Sequence, residues 1–269
     1  MKKTLIALTV AASAVVSGSA MAAGWERSGI GGSVDLGGTL TPESVNTPWE
    51  VKVGDMVNGL DANVHKDDKE VSIILKNAIP FLGIRTDSSR VFQGRSGISP
   101  QINFNGAINN KEFSEGMAKL RLDIHDKESR KIGMLSTSMY AGAEYSYKKK
   151  GKTVLDLDKA GKTYMTASQP GDAFYGGLGI SKNAVYYDPW TRVRGISTEY
   201  TENYTAQGGA QDDNIPNNNP LNDEHSVFSA YYGAGLEQGR KIEIKLEQPV
   251  SSAEPVLWKA SLPITVSYQ

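Results

Sequence analysis

"GIGGSVDLGGTL", residues 29–40, alternates with a period of two. Ile30, Gly32, Val34, Leu36, Gly38 and Leu40 share one face, and Gly29, Gly31, Ser33, Asp35, Gly37 and Thr39 share the other. One apolar face and one small or polar face is the pattern of a half-buried strand. New N-termini are poorly ordered unless something ties them down, so a strand this regular near the start of a chain needs a partner. At the rise of a strand these residues span about 40 Å, the length of a sandwich. The glycines lower intrinsic strand propensity, which suits a segment that stays unstructured until its partner arrives. A one-residue slip would bury Asp35, so the pairing register is well specified. The competing reading is an edge strand folded back onto its own domain.

The residues before this stretch read as a secretory signal. Lys2 and Lys3 precede a short apolar run from Leu5 to Val16, and Ala20 and Ala22 supply the small residues of a cleavage site. Cleavage after Ala22 would leave 247 residues, enough for one large β domain. No later stretch reaches about 18 apolar residues, so no transmembrane helix is expected. The remaining chain carries 27 Lys and Arg against 30 Asp and Glu, which argues against a nucleic-acid surface. "YKKKGK" at 147–152 is the one basic run and reads as a solvated hairpin tip. Cysteine is absent. An exported domain without disulfides must draw its stability from its core or from another chain.

Short alternating runs separated by turn residues follow. "WEVKV" places Trp49, Val51 and Val53 on one side, and "EVSIILKNAIPFLG" is a strongly apolar segment interrupted by Pro80. "AKLRLDIHD" puts Leu120, Leu122 and Ile124 inward and Lys119, Arg121, Asp123 and His125 outward. "KIGMLSTSMYAGAEYSY", "SVFSAYY", "RKIEIKLEQ" and "WKASLPITVSY" continue to the end. Trp258, Ala260, Leu262, Ile264, Val266 and Tyr268 share one parity in the last of these. Many short strands with Gly, Asn and Asp turns predict an all-β fold, a sandwich of the immunoglobulin-like sort. Residues 205–225 lack apolar periodicity and are rich in Asn, Asp, Gly and Pro, and they read as a long exposed loop.

Chemical motifs are scarce. "GAGLEQG" at 233–239 has the wrong spacing for a dinucleotide loop and is followed by an alternating strand, so it reads as a hairpin turn. "DLDKAG" from Asp156 begins like a calcium loop but has Ala160 and Ala167 at ligand positions five and twelve. His65, His125 and His225 are far apart, each beside charged residues, and read as surface histidines. Nothing in these patterns points to an enzyme, a metal site or a cofactor.

Several stretches carry a family resemblance. "GSVDLGG", "WEVKVGDMVNGL", "FLGIRT" followed by "GISPQINF", "YAG" at 140–142, "FYGGL" at 174–178, "SAYYGAGLEQG" and the terminal "ITVSY" occur in the family's order and span almost the whole mature chain. Together they resemble subunits of the K88 (F4) type of chaperone–usher fimbriae and the related F41 and CS31A subunits. Residues 181–225 depart from that pattern, a departure that leans toward a minor subunit. The resemblance implies an incomplete immunoglobulin-like β-sandwich whose missing strand is donated by a neighbouring subunit. Residues 1–22 would be the signal, 23–42 the donor extension, and 43–269 the pilin domain with a variable region around 181–225. Ile30, Gly32, Val34, Leu36 and Leu40 would then enter a neighbour's core by strand addition.

The resemblance further implies a periplasmic chaperone lying against the C-terminal strand, at Leu262, Ile264, Val266 and Tyr268, and an outer-membrane usher. It places the chain in a cell-surface fimbrium, reached through the periplasm. In K88-like fimbriae the major subunit also binds host glycans through a variable region. Here "AVYYDPWTR" offers Tyr186, Tyr187 and Trp190 beside Asp188 and Arg192. Aromatic faces with adjacent hydrogen-bonding groups suit sugar rings, although loop aromatics also pack as local minicores. An outer-membrane β-barrel would alternate too, but it leaves the N-terminal arm without a role.

Overall fold

A computed structural model describes residues 46–88, 90–151, 158–211, 215–251 and 254–269. The expected signal and the strand over 29–40 lie outside the described residues. The strands are β1 (Trp49–Val53), β2 (Glu70–Ile74), β3 (Ile79–Thr86), β4 (Phe92–Gln93), β5 (Pro100–Asn103), β6 (Met117–His125), β7 (Lys131–Lys149) and β8 (Lys159–Tyr164). A helix α1 (Pro189–Ile196) precedes β9 (Ala210–Gln211), β10 (Ser226–Leu236), β11 (Lys241–Leu246), β12 (Lys259–Ala260) and β13 (Thr265–Tyr268).

The 19-residue strand β7 organises the fold. Along one edge its first half pairs with β6 and its second half with β8. Along the other edge β10 runs from Ser226 opposite Lys149 to Gly235 opposite Tyr140, and β11 continues from Glu243 opposite Ser136. Between these two pairings seven residues on this side, 236–242, therefore face three on β7, 137–139. β10 and β11 follow one another in the same direction and do not pair together. This corrects the hairpin expected at 233–239: residues 237–240 form a protruding turn within a strand that keeps its course. The turn is paired, because Gly239 donates to the Leu75 carbonyl at 2.9 Å and Leu75 donates to the Arg240 carbonyl at 2.9 Å. β2 and β3 thus accompany β11 and β10 across the jog, with Lys241 opposite Ile74 and Leu236 opposite Ile79. The apolar run "EVSIILKNAIPFLG" becomes two strands in different halves of the structure.

The two halves are β1-β3-β10-β7-β8 and β2-β11-β7-β6-β12, sharing the long β7, while β5 and β13 form a small separate sheet. Leu82, Ile84 and Tyr232 from the first half and Ile73, Leu120, Ile124 and Ile244 from the second belong to one buried cluster. The chain is an all-β sandwich. Among the described residues the strand order runs from β1 to β2 without closing, which rules out the barrel reading.

Several sequence expectations hold. Along β6, Leu120 and Ile124 are buried and Leu122 half-buried, while Lys119, Arg121 and Asp123 are exposed. β7 and β8 are an antiparallel pair whose connection carries the basic run, with Lys148 and Lys150 exposed. The described part of residues 205–225 is an irregular and largely exposed segment, as expected, but it is tied to the strands. Leu221 is fully buried, Thr205 donates to Ser229 Oγ at 3.1 Å, and Asn217 and Thr166 bond to strand and loop backbone. Asp223 accepts from Lys149 at 2.7 Å, an ion pair that holds its carboxyl down at about 2. The asparagines and aspartates of this segment satisfy backbone groups that apolar residues could not, so polar composition here builds order.

Candidate functional site

The interior of the sandwich is open on one side. An apolar cleft of about 1230 Å³ lies over Leu120, Leu122 and Ile124 of β6 and Ile242 and Ile244 of β11. Val53, Phe81, Trp258, Ala260, Leu262 and Ile264 also line it. β1 begins at Trp49, the only buried residue of the strand. The Trp49 indole donates to the Ile98 carbonyl at 2.7 Å and packs edge-on against Phe92 and Phe174. Val51 and Val53 stand opposite Ile84 and Leu82 in the ladder, so they point toward the core. Both of those partners are fully buried, yet Val51 is 41% and Val53 53% exposed. Met56, Val57, Val64, Val256 and Leu257 are exposed around the same opening.

Among the described residues the strands at this opening are each paired along one edge. Among the described residues β1 pairs only with β3, β12 only with β6, and β13 only with β5. A free strand edge beside exposed apolar side chains is a template for another strand. Of the C-terminal positions singled out by parity, Leu262 and Ile264 line the cleft, while Val266 and Tyr268 pair with Ile102 and Pro100 of β5. All four are half-buried, and the residues between them are exposed. Ile30, Gly32, Val34, Leu36 and Leu40 lie outside the described residues.

A second surface lies on the outer face of the β3-β10-β7 half. Gly83, Gly233 and Gly142 stand side by side on the three strands. A Cβ on Gly83 would collide with the Tyr200 ring, one on Gly233 with Val193, and one on Gly142 with Pro189. This row of glycines is a trough that receives α1 and the following short helix, Thr198–Thr201. The helix begins where Asp188 accepts from the Thr191 amide at 3.1 Å and Pro189 fills the first helical position. Aspartate followed by proline is a helix-start signal, and it was legible in "YYDPW". Arg192 clamps the block. Its guanidinium lies 3.9 Å from the Tyr140 ring centroid and 4.9 Å from that of Tyr186, and it forms two bonds of 2.7 and 2.8 Å with Glu237. Burial pushes the Glu237 carboxyl up, and hydrogen bonds from Arg192 and Arg240 outweigh it, leaving the group below its ordinary value.

The three aromatics of "AVYYDPWTR" are divided by this packing. Trp190 rests on Tyr204 and Tyr231 with the Arg194 guanidinium 5.0 Å above its ring, leaving it 36% exposed. Tyr187 is 61% exposed and its ring lies 4.6 Å from that of the half-buried Tyr186. Tyr186 and Tyr204 pack against a small core of Tyr140, Val193, Ile196, Tyr200 and Tyr231.

The sandwich and the order of the motifs along it can be set against known proteins. The family described as "Fimbrial, major and minor subunit" matches residues 1–269. The chain belongs to the K88 family of fimbrial subunits. It is 29% identical to K88 fimbrial protein AD of Escherichia coli over 307 aligned positions, with both chains fully covered. K88 fimbrial protein AB of Escherichia coli is likewise 29% identical over 308 positions and fully covered, and the F41 fimbrial protein of the same species is 28% identical over 301 positions, again with both chains fully covered. The family is structural and not enzymatic, and membership places this subunit in the surface fimbrium in contact with other fimbrial subunits. The glycines of "FLG", "YAG" and "AYYG", noticed in the sequence as family-like fragments, prove to be the trough beneath α1.

Proposed function

We propose that this K88-family chain is a minor structural subunit of an adhesive fimbria, assembled by the chaperone–usher pathway through donor-strand exchange. The single observation carrying this reading is the uncovered apolar cleft between the free edge of β1 and the C-terminal strands. After removal of residues 1–22, residues 23–42 of one subunit fill the cleft of the next. Ile30, Val34, Leu36 and Leu40 enter it, each contributing about 1.5–3 kcal/mol when fully buried, and Gly32 fits where the cleft is shallow. One arm and one groove form a heterologous contact that does not close, and such contacts make filaments. Before polymerisation a periplasmic chaperone covers the cleft beside Leu262, Ile264, Val266 and Tyr268, and an outer-membrane usher receives the subunit.

Replacing Val34 with Asp would bury an unpaired carboxylate in the neighbour's core, which is strongly unfavourable. The Val34→Asp subunit is expected to bind the chaperone normally and to be missing from sheared fimbriae on immunoblots. Wild-type levels of the variant in fibres would rule out this segment as the donor.

The second reading makes the subunit itself the adhesin, with glycan contacts in residues 181–225. It draws on the exposure of Tyr187 and Trp190. Trp190→Ala is expected to abolish binding on an array of intestinal glycans while leaving fibre assembly intact. Equal array signals from mutant and wild-type fimbriae would leave the purely structural reading.

A further inference from the structure

The chain contains two Asn-Gly pairs in described positions, and the structure treats them oppositely. Asn105 and Gly106 are the centre of a tight turn, with φ of 49° and 78°, closed by a 3.0 Å bond from the Ala107 amide to the Phe104 carbonyl. Positive φ at both central residues marks the left-handed hairpin type of turn. The Asn105 amide also donates to Asn103 Oδ1 at 2.7 Å, and the Asn105 carboxamide donates to the Pro263 carbonyl at 3.4 Å. Asn58 and Gly59 lie instead in the irregular segment between β1 and β2, both exposed. Among the described residues no hydrogen bond holds the Asn58 carboxamide or the Gly59 amide, and a Cβ on Gly59 would meet nothing within 4 Å. Both residues line the mouth of the apolar cleft.

We infer that Asn58 is a site of spontaneous covalent modification, deamidation through a cyclic imide. The Gly59 amide nitrogen, once deprotonated, attacks Cγ of Asn58. The new N–C bond forms as the Cγ–NH₂ bond breaks, and the leaving amide takes up a proton and departs as ammonia. Water then opens the imide at either carbonyl, giving aspartate or, with the backbone rerouted through the side chain, isoaspartate. The reaction needs a nucleophilic amide without a side chain crowding it and a backbone free to bring nitrogen and Cγ together. Gly59 supplies the first and the unpaired loop the second. Asn105 has the same following residue but sits in a bonded turn that must open before the two atoms can align. The modification replaces a neutral carboxamide with an exposed carboxylate on the rim of an apolar cleft. The chemistry is independent of whether a strand enters that cleft.

The test uses the full purified chain, incubated at neutral and at mildly alkaline pH and then mapped by proteolysis and mass spectrometry, with fragmentation that separates aspartate from isoaspartate. The expected result is steady conversion of the Asn58 peptide, faster at the higher pH, with isoaspartate present and with the Asn105 peptide lagging behind. Asn58→Gln and Gly59→Ala are both expected to lose the signal at this position with an unchanged circular dichroism spectrum. An Asn58 peptide that stays intact in the folded chain while the urea-unfolded chain converts it would overturn the proposal. So would equal rates at Asn58 and Asn105.

Discussion

A subunit lacking residues 23–42, held on its periplasmic chaperone, is expected to release the chaperone when a synthetic peptide of residues 23–42 is added, and the product is expected to melt far higher. The cleft exposes Val53 on the core side of β1 and leaves Leu122, Leu262 and Ile264 partly covered. A peptide of alternating apolar residues both covers these side chains and supplies backbone partners to unpaired strand edges. A ligand that binds only the folded chain, present at about 1,000 times its Kd, stabilises by about 4 kcal/mol. For a chain of this size that raises Tm by about 8–16 °C. Release together with a large rise in Tm would establish that the sandwich is incomplete. A truncated chain that is already stable alone and does not respond to the peptide would show that the cleft needs no strand, and the donor reading would fall.

Trp49→Ala should be the most damaging single change near the cleft. Trp49 is the one buried residue of β1, and its ring makes edge-on contacts with Phe92 and Phe174 at centroid distances of 5.0 and 5.7 Å. Truncating a buried tryptophan costs about 3–5 kcal/mol, since transfer energy is lost and a cavity remains. The Ile98 carbonyl, buried and accepting from the indole at 2.7 Å, would lose this donor as well. Urea denaturation is the measurement. Trp49→Phe, which keeps a ring and loses the N–H, should fall in between. Val53→Ala should cost little in the isolated subunit, where Val53 is 53% exposed. It should cost more once the arm peptide fills the cleft, because only then is that side chain buried. An equal cost of Val53→Ala with and without the peptide would show that nothing packs there.

The alternation of β6 and of the C-terminal strands was legible in the sequence because each has one wet face and one dry face, so burial imposes a period of two. The second half of β7 was less legible. Residues 139–146 are all buried, since the block of α1 and its neighbouring helix covers the face that would otherwise meet solvent. Local pattern cannot reveal a cover supplied by residues some fifty positions away. The same limit explains the jog at 237–240. Glycine and polar residues announce a turn, but whether the chain reverses or continues depends on which strand lies alongside. Here β7 runs straight past it. That the described part of residues 205–225 is tied down was not legible for a related reason: composition indicates how little apolar surface a segment can bury, not how many backbone groups its asparagines can satisfy.

By itself the sequence determined that the protein is built of short strands, that it lacks disulfides, and that its family-like fragments run in K88 order. It also marked the parity of Leu262, Ile264, Val266 and Tyr268, because alternation is a local property of the chain. Only the tertiary structure decided that an apolar cleft lies between β1 and the C-terminal strands, with no second partner for β1 among the described residues, and that Trp190 is packed while Tyr187 projects. Those facts depend on what lies across a cleft or beneath a ring, and such neighbours are set by strand register and packing between residues far apart in the chain.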